Sequence, residues 1–248
     1  MGGDASVQAT HLIIVCCHAI YLGSPQGDNS EDNWSATRTL PGAPDIYQIP
    51  TQGIGIGPKW SVDLFRNFVK DNHYFQDPTN TPAIDPSRIL SETHATDSYQ
   101  NVLFSLLRFR LHTGVYPQRV TVVTHEFKRA RFMECHFPAV GLLPLPGSLQ
   151  RLNCEVFVEG INPPEEVTPL ESLASGEASK GIGLWKQDLY GTKADLAGKR
   201  VKRGWYPGME ESVFPNAEFE DVVGELLRWD GEVGNEWFPR LKELPWAY

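Results

Sequence analysis

Two short stretches of the sequence, residues 91–101 and 120–131, combine side chains that could bind a small molecule and move protons on it. We call them the first and the second polar block. Their candidate functional side chains carry acidic, hydroxyl, amide, imidazole and cationic groups: Glu92, Ser98, Asn101, Thr124, His125, Lys128 and Arg131. Each block lies where a short apolar strand pattern meets a helical pattern. Ligands of open α/β sheets bind beyond the carboxyl ends of the strands, so we expect the two blocks to form one site.

Two of these residues are candidates for proton transfer. Glu92 follows a strand predicted at residues 88–91 and could act as general acid or base, or accept a ligand hydroxyl or amine. The alternative is a structural carboxylate that pairs with a nearby arginine or is exposed to water. His125 could exchange a proton near neutral pH, although a lone histidine is more often a hydrogen-bonded structural residue.

The other candidates suit an anionic ligand. Ser98 and Asn101 fall in the first turn of a predicted helix, whose free N–H groups and dipole favour negative charge. Asp97 or Ser98 could instead simply cap that helix. Lys128 and Arg131 place positive charge near a second helix start, which opposes the dipole and requires compensation. An acidic ligand would supply it, and so would Glu92 and Glu126. Thr124 ends the preceding strand and can face the same crevice.

Alternating strand and helix patterns predict an α/β fold with a mainly parallel sheet. Strands are expected at residues 12–16, 119–124 and 154–158, the first covered on both faces because it is continuously aliphatic. Helices are expected at residues 60–69, from 97 or 98 to 109, at 126–136 and around 219–227.

The chain divides by composition into a domain at residues 1–184 and a tryptophan-rich C-terminal extension at 185–248 that packs on it. Within the domain, residues 24–58 are so rich in proline and glycine that no regular element longer than one turn is expected. A stretch of this length without structure is unusual inside a compact domain.

Composition excludes several classes of partner. A net charge of −9 would repel a phosphate backbone, so no nucleic acid partner is expected. The four cysteines show no C-x-x-C pairing, which suits a reducing cytoplasm, and no spacing of His and Cys indicates a metal site. The first apolar run is too short to span a bilayer, so no integral membrane association is expected. Gly2 and Ser6 fit a myristoylation pattern, although a flexible Gly-rich tail explains them equally.

The two blocks resemble the YdcF-like family, the SanA and ElyC type of domain of unknown function, and most closely its fungal cytosolic branch. The family pattern is an acidic residue followed by S-x-N-T-x-E-N, and six residues of the first block fall in register with it: Glu92, Ala95, Asp97, Ser98, Gln100 and Asn101. The second family pattern, V-T-s-x-F-H-x-x-R-A, aligns with Val123, Thr124, Phe127 and Arg131. The resemblance covers residues 12–23 and 83–160.

This resemblance implies a Rossmann-like three-layer α/β/α fold and a ligand such as S-adenosylmethionine. The chain departs from the family at Lys128, where the family has His, and at Ala95, where it has Ser. The second family strand, with its S-G-G turn, has no counterpart, and its expected place is the irregular stretch at residues 34–58. One strand of the expected sheet is therefore missing from the pattern.

The sequence thus predicts a cytoplasmic protein that binds a small anionic, nucleotide-like ligand at the strand ends. We expect Ser98, Asn101, Thr124, Lys128 and Arg131 to contact that ligand. One alternative is a hydrolase or transferase with Glu92 as acid/base, assisted by His125 or Lys128. Another is a truncated, non-catalytic remnant. Whether the chain is an enzyme stays open at this point.

Overall fold

The computed structural model describes residues 10–16, 19–21, 34–36, 90, 92, 94–148, 153–162, 165, 169–215 and 217–247. The chain forms two compact units, which are treated one at a time. The larger unit consists of Met1–Ile14 and Val102–Tyr248, and the smaller unit of Val15–Asn101.

A three-stranded parallel sheet confirms the predicted α/β, Rossmann-like fold class. Its strands are β1 (His11–Val15), β4 (Arg119–Thr124) and β5 (Glu155–Gly160), in the order β1-β4-β5. β4 and β5 run in register from Arg119 opposite Glu155 to Thr124 opposite Gly160. All three strands lie where the apolar, β-branched patterns predicted them, with β1 and β5 shifted by one or two residues.

The two faces of this sheet differ in exposure. Side chains alternate along a strand, so Val120, Val122 and Thr124 share one face, and all three are buried. In β1, Ile14 is 2% exposed while its neighbour Ile13 is 53% exposed. The expectation that β1 is covered on both faces is therefore wrong at Ile13. A continuous aliphatic run permits two-sided burial, but tertiary packing decides whether it occurs.

A second, two-stranded sheet pairs β2 (Ala19–Tyr21) with β3 (Trp34–Ala36) in antiparallel fashion. β3 falls within residues 24–58, where no regular element longer than one turn was predicted, and its three residues stay within that length. A three-residue strand needs only a local partner and is compatible with flanking proline and glycine. The rest of the stretch where the missing family strand was sought, residues 37–58, lies outside the described residues. So do the predicted helix at 60–69 and, apart from Leu90, the predicted strand at 88–91.

The longest described helix, α1 (Ser98–Thr113), follows the apolar stripe that predicted it. In the larger unit, that stripe is fully buried at Val102, Leu106 and Leu107. Helix packing against the buried face of a sheet is the standard way for an α/β protein to form its core.

The helix predicted at residues 126–136 is present, but it is made of consecutive short segments of different helix type. A 3-10 turn (Glu126–Lys128) leads into α2 (Arg129–Arg131), a π-helical stretch (Phe132–His136) and α3 (Phe137–Ala139). Phe132, Cys135 and His136 are each at most 1% exposed, and their i, i+3, i+4 spacing places them on one face of the helical path.

The C-terminal half of the larger unit is helical. Its elements are α4 (Leu170–Lys180), α5 (Ile182–Trp185), α6 (Ala194–Val201), α7 (Met209–Val213), α8 (Asp221–Arg228) and a 3-10 turn (Leu241–Glu243). α8 confirms the helix predicted around residues 219–227. The end of the chain is anchored by Trp246, whose buried Nε1–H donates to the Val140 carbonyl at 2.7 Å.

Candidate functional site

In the smaller unit, Glu92 is bound to its own loop. Its side chain is 4% exposed, and its Oε1 and Oε2 accept the backbone N–H groups of His94 and Ala95 at 2.8 and 3.0 Å. His94 Nδ1 lies 3.3 Å from Oε1. Both carboxylate oxygens therefore hold the loop that leads into α1. Glu92 thus has a structural role in its own loop, although it contacts backbone N–H groups and His94 there rather than an arginine, and it is buried rather than exposed to water.

Asp97 caps α1, as the sequence predicts. Its Oδ1 accepts the Gln100 N–H at 2.9 Å, and the Gln100 side chain reaches back, where Oε1 accepts the N–H and hydroxyl of Thr96 at 2.8 and 2.6 Å. The arrangement is a variant of the capping box, in which the returning side chain bonds one residue earlier than usual. Ser98 is buried in the first turn directly behind this cap. The cap carboxylate already occupies the place that an external anion would take at this helix start.

Asn101, the last residue of the first block, has incomplete hydrogen bonding among the described residues. Its side chain is 1% exposed, and its Nδ2 donates to the Cys16 sulfur at 3.5 Å. Its Oδ1 accepts no hydrogen bond from any residue that the structure describes. A buried amide oxygen without a donor is costly, so this atom requires an explanation.

In the larger unit, Thr124 ends β4 with a similar deficiency. The residue is 5% exposed, and its backbone carbonyl accepts the Ile161 N–H at 2.9 Å. Its Oγ1 is buried and has no hydrogen-bond partner among the described residues. Strand alternation places this hydroxyl on the covered face of the sheet, at the carboxyl end of β4.

Just after Thr124, the chain is tied to the end of β5. His125 Nδ1 lies 3.0 Å from the Ile161 carbonyl oxygen, and the Phe127 N–H donates to Asn162 Oδ1 at 3.1 Å. A side chain at Gly160 would collide with the backbone and side chain of Glu126, so only glycine allows this approach. The turn that carries the second block is thus fixed by long-range contacts.

His125 is set to be neutral at physiological pH. Burial lowers its pKa, and the nearby Lys128 charge lowers it further, while the Ile161 carbonyl acts in the opposite direction. The imidazole stacks on the Phe127 ring at 5.3 Å between centroids. Lys128 Nζ in turn lies 5.5 Å from the centroid of that ring. The structure therefore brings His125 and Lys128 together around Phe127.

The remaining cations near this helix start have carboxylate partners. Arg129 donates from Nε and Nη2 to the two Glu126 oxygens at 2.6 and 2.7 Å, which confirms Glu126 as a compensating acid. This contact lowers the Glu126 pKa. Arg131 makes a two-pronged pair with Glu177 of α4, with Nε to Oε1 at 2.7 Å and Nη2 to Oε2.

The Arg131–Glu177 pair is mostly buried, with side chains 16% and 6% exposed. Glu177 Oε1 also accepts the Ile182 N–H at 3.0 Å, so the pair joins the start of α5 to α2. A Cβ at Gly181 would collide with both side chains of the pair. Arg131, expected to bind a ligand, therefore holds two helices together. No local pattern pointed to Glu177, which lies 46 residues away.

The predicted site residues thus fall into different units: Glu92, Ser98 and Asn101 in the smaller, and Thr124, His125, Lys128 and Arg131 in the larger. Across the described part of the chain, no group of three His, Cys, Asp or Glu side chains could hold a metal ion. Within the same residues, no helix is long and apolar enough to cross a membrane.

Comparison with known proteins finds a distant relative. The chain is 25% identical over 125 residues to the uncharacterized protein YOR238W of Saccharomyces cerevisiae. The match covers 46% of this chain and 37% of the yeast protein, so the chain spans little more than a third of that relative's length. No family model matches the chain, and no solved structure matches it. A relative without an assigned role brings no activity to this chain.

Proposed function

We propose that this chain binds a small anionic, nucleotide-like ligand of the S-adenosylmethionine type at the carboxyl ends of its strands, as a member of the YdcF-like family. The observation that carries the proposal is the buried Thr124 hydroxyl at the end of β4. In open α/β sheets this is the edge at which ligands bind. A ligand acceptor or donor in hydrogen-bond range would satisfy the hydroxyl.

The charges around Thr124 are compatible with an anion. Arg129 and Arg131 are paired with Glu126 and Glu177, and Lys128 adds a third positive charge to the segment. An anionic group beside Lys128 would offset the effect of that cation on His125 and so raise the His125 pKa. Ligand affinity should therefore depend on Thr124 more than on Arg131.

Asn101 is the corresponding candidate in the smaller unit. Its buried Oδ1 could accept a hydrogen bond from a ligand amine or hydroxyl. The ligand affinity of the single variant Asn101→Leu measures this contribution separately from that of Thr124. The alternative of a hydrolase or transferase driven by Glu92 lacks a comparable observation, because both Glu92 oxygens accept backbone N–H groups. We further propose a cytoplasmic location, since Cys16, Cys135 and Cys154 are free thiols.

Isothermal titration calorimetry with S-adenosylmethionine and a set of nucleotides tests the proposal. We expect saturable binding by the full chain and a clear loss of affinity in Thr124→Val. Thr121→Val is the matched control, because Thr121 lies on the same strand with its hydroxyl 2.9 Å from His11 Nε2. The proposal fails if no compound binds, or if Thr124→Val and Thr121→Val bind equally well.

A further inference from the structure

The larger unit contains a cleft of about 840 Å³ at the amino ends of its strands, the end opposite to Thr124. The first residues of β1, β4 and β5 line it, together with the turn after α1 and the last residues of the chain. The side chains that give the cleft its chemistry are Arg110, Tyr116, Arg119, Glu155, Glu220 and Trp246. None of them belongs to either polar block.

The cleft carries two positive and two negative side chains. Arg119 pairs with Glu155 at 2.7 Å, but the two side chains are 52% and 60% exposed. Such a surface pair contributes little to stability, and each partner can exchange the other for a ligand group. Arg110 Nη1 donates to the Gly114 carbonyl, and no carboxylate forms an ion pair with it among the described residues.

The Tyr116 and Trp246 rings also line the cleft, and Tyr116 holds Glu220. The Tyr116 hydroxyl donates to Glu220 Oε2 at 2.6 Å, and burial together with Glu220 raises the Tyr116 pKa, so the hydroxyl keeps its proton. The Arg110 guanidinium lies 5.5 Å from the centroid of the Tyr116 ring. That ring also lies 4.9 Å from the Trp246 ring, centroid to centroid. The aromatic pair is held in place because Trp246 is hydrogen-bonded to Val140.

We propose that this cleft binds a small zwitterion of the amino-acid class, either a free amino acid or a short peptide. Its carboxylate would contact Arg110 and Arg119, its ammonium group Glu220 or Glu155, and its side chain the Tyr116 ring. A ligand with only negative charge would be repelled by the two carboxylates, and a ligand with only positive charge would be repelled by the two guanidinium groups. A zwitterion meets a partner of opposite sign for each of its charges, and the volume falls in the range of small-molecule sites.

Calorimetric titration of the full chain with free amino acids and dipeptides tests the inference. Each compound is compared with its N-acetylated form, which lacks the ammonium group, and its amidated form, which lacks the carboxylate. We expect saturable binding of the free compounds and at least ~10-fold weaker binding of both blocked forms, the loss typical of a charged hydrogen bond. The ratio of amino-acid to dipeptide affinity distinguishes the two ligand sources.

Matched variants locate the binding. Arg110→Met and Glu220→Gln should each weaken binding by at least ~10-fold. Their controls, Arg108→Met and Glu218→Gln, change exposed residues two positions away outside the cleft, and should leave the affinity within about 2-fold. Glu220→Gln keeps an acceptor for Tyr116, and cooperative thermal unfolding of each variant verifies its fold. No saturable binding of any free compound, equal binding of free and blocked forms, or equal losses in variants and controls would each overturn the inference.

Discussion

The substitution Thr124→Val separates the proposed ligand contact from a structural role, because the two roles predict opposite effects. Valine has nearly the shape of threonine, so the change removes the buried hydroxyl and leaves no cavity. In the ligand-free protein that hydroxyl has lost its water and has no partner among the described residues. Its removal should therefore raise the free energy of unfolding by ~1–2 kcal/mol, the cost of leaving a buried polar group unsatisfied.

The same substitution should weaken ligand binding. A hydrogen bond to a charged ligand group contributes ~1.5–3 kcal/mol, so we expect the dissociation constant to rise by roughly 10- to 100-fold. Unfolding in urea, followed by circular dichroism, measures the first effect, and calorimetry with S-adenosylmethionine and nucleotides measures the second. For a chain of this size, each kcal/mol corresponds to ~2–4 °C in the thermal midpoint.

Thr121→Val provides the comparison on the same strand. Its hydroxyl contacts His11 in an exposed position, so the substitution should change stability by less than ~0.5 kcal/mol and leave affinity unchanged. If Thr124→Val lowers the stability of the ligand-free protein, the hydroxyl has a partner within the chain and our reasoning is refuted. If stability rises but affinity stays the same, the hydroxyl is a tolerated defect and the proposed site is wrong.

Three further predictions concern stability. Asp97→Ala removes the cap of α1 and should cost ~1 kcal/mol in urea unfolding, whereas Asp97→Asn should retain most of it, and equal losses would contradict the capping role. Arg131→Met leaves Glu177 as a buried, unpaired charge and should cost ~3–5 kcal/mol, while the double change with Glu177→Leu should recover much of the loss; no recovery would argue against the pair. Burial lowers the His136 pKa well below its usual value, so at acidic pH the unfolded state binds a proton that the folded state does not. The free energy of unfolding should therefore fall by up to ~1.4 kcal/mol per pH unit as the pH drops below ~6.5. His136→Phe should flatten this pH dependence.

The elements that could be predicted from sequence are those set by local patterns. The six residues of β4 were predicted without error because a β-branched run bounded by polar residues has few alternatives. Asp97 was identified as a cap candidate because capping depends on atoms within four residues. The π-helical turn at Phe132–His136 was not foreseen, since the i, i+3, i+4 spacing of its buried residues is the same as that of an α-helix.

The site was predicted less completely than the fold because its contacts are long-range. Residues 91–101 and 120–131 were correctly placed at a helix start and a strand end. The partners that define their roles are distant in sequence: Ile161 and Asn162 for the turn after β4, and Glu177 for Arg131. The cleft at the amino ends of the strands left no pattern at all, because its residues come from five separate segments.

The charged residues that first drew attention to the second block carry less functional information than a neutral one. Cations near a helix start lose a few tenths of a kcal/mol each against the helix dipole, and such a loss can be offset by a ligand or by a protein carboxylate. Glu126 and Glu177 provide carboxylates for Arg129 and Arg131, so these charges no longer require a ligand. The Thr124 hydroxyl has no such internal explanation within the described residues, and its burial costs more than either unfavourable charge. An unsatisfied neutral group at a strand end is therefore the stronger argument for a bound molecule.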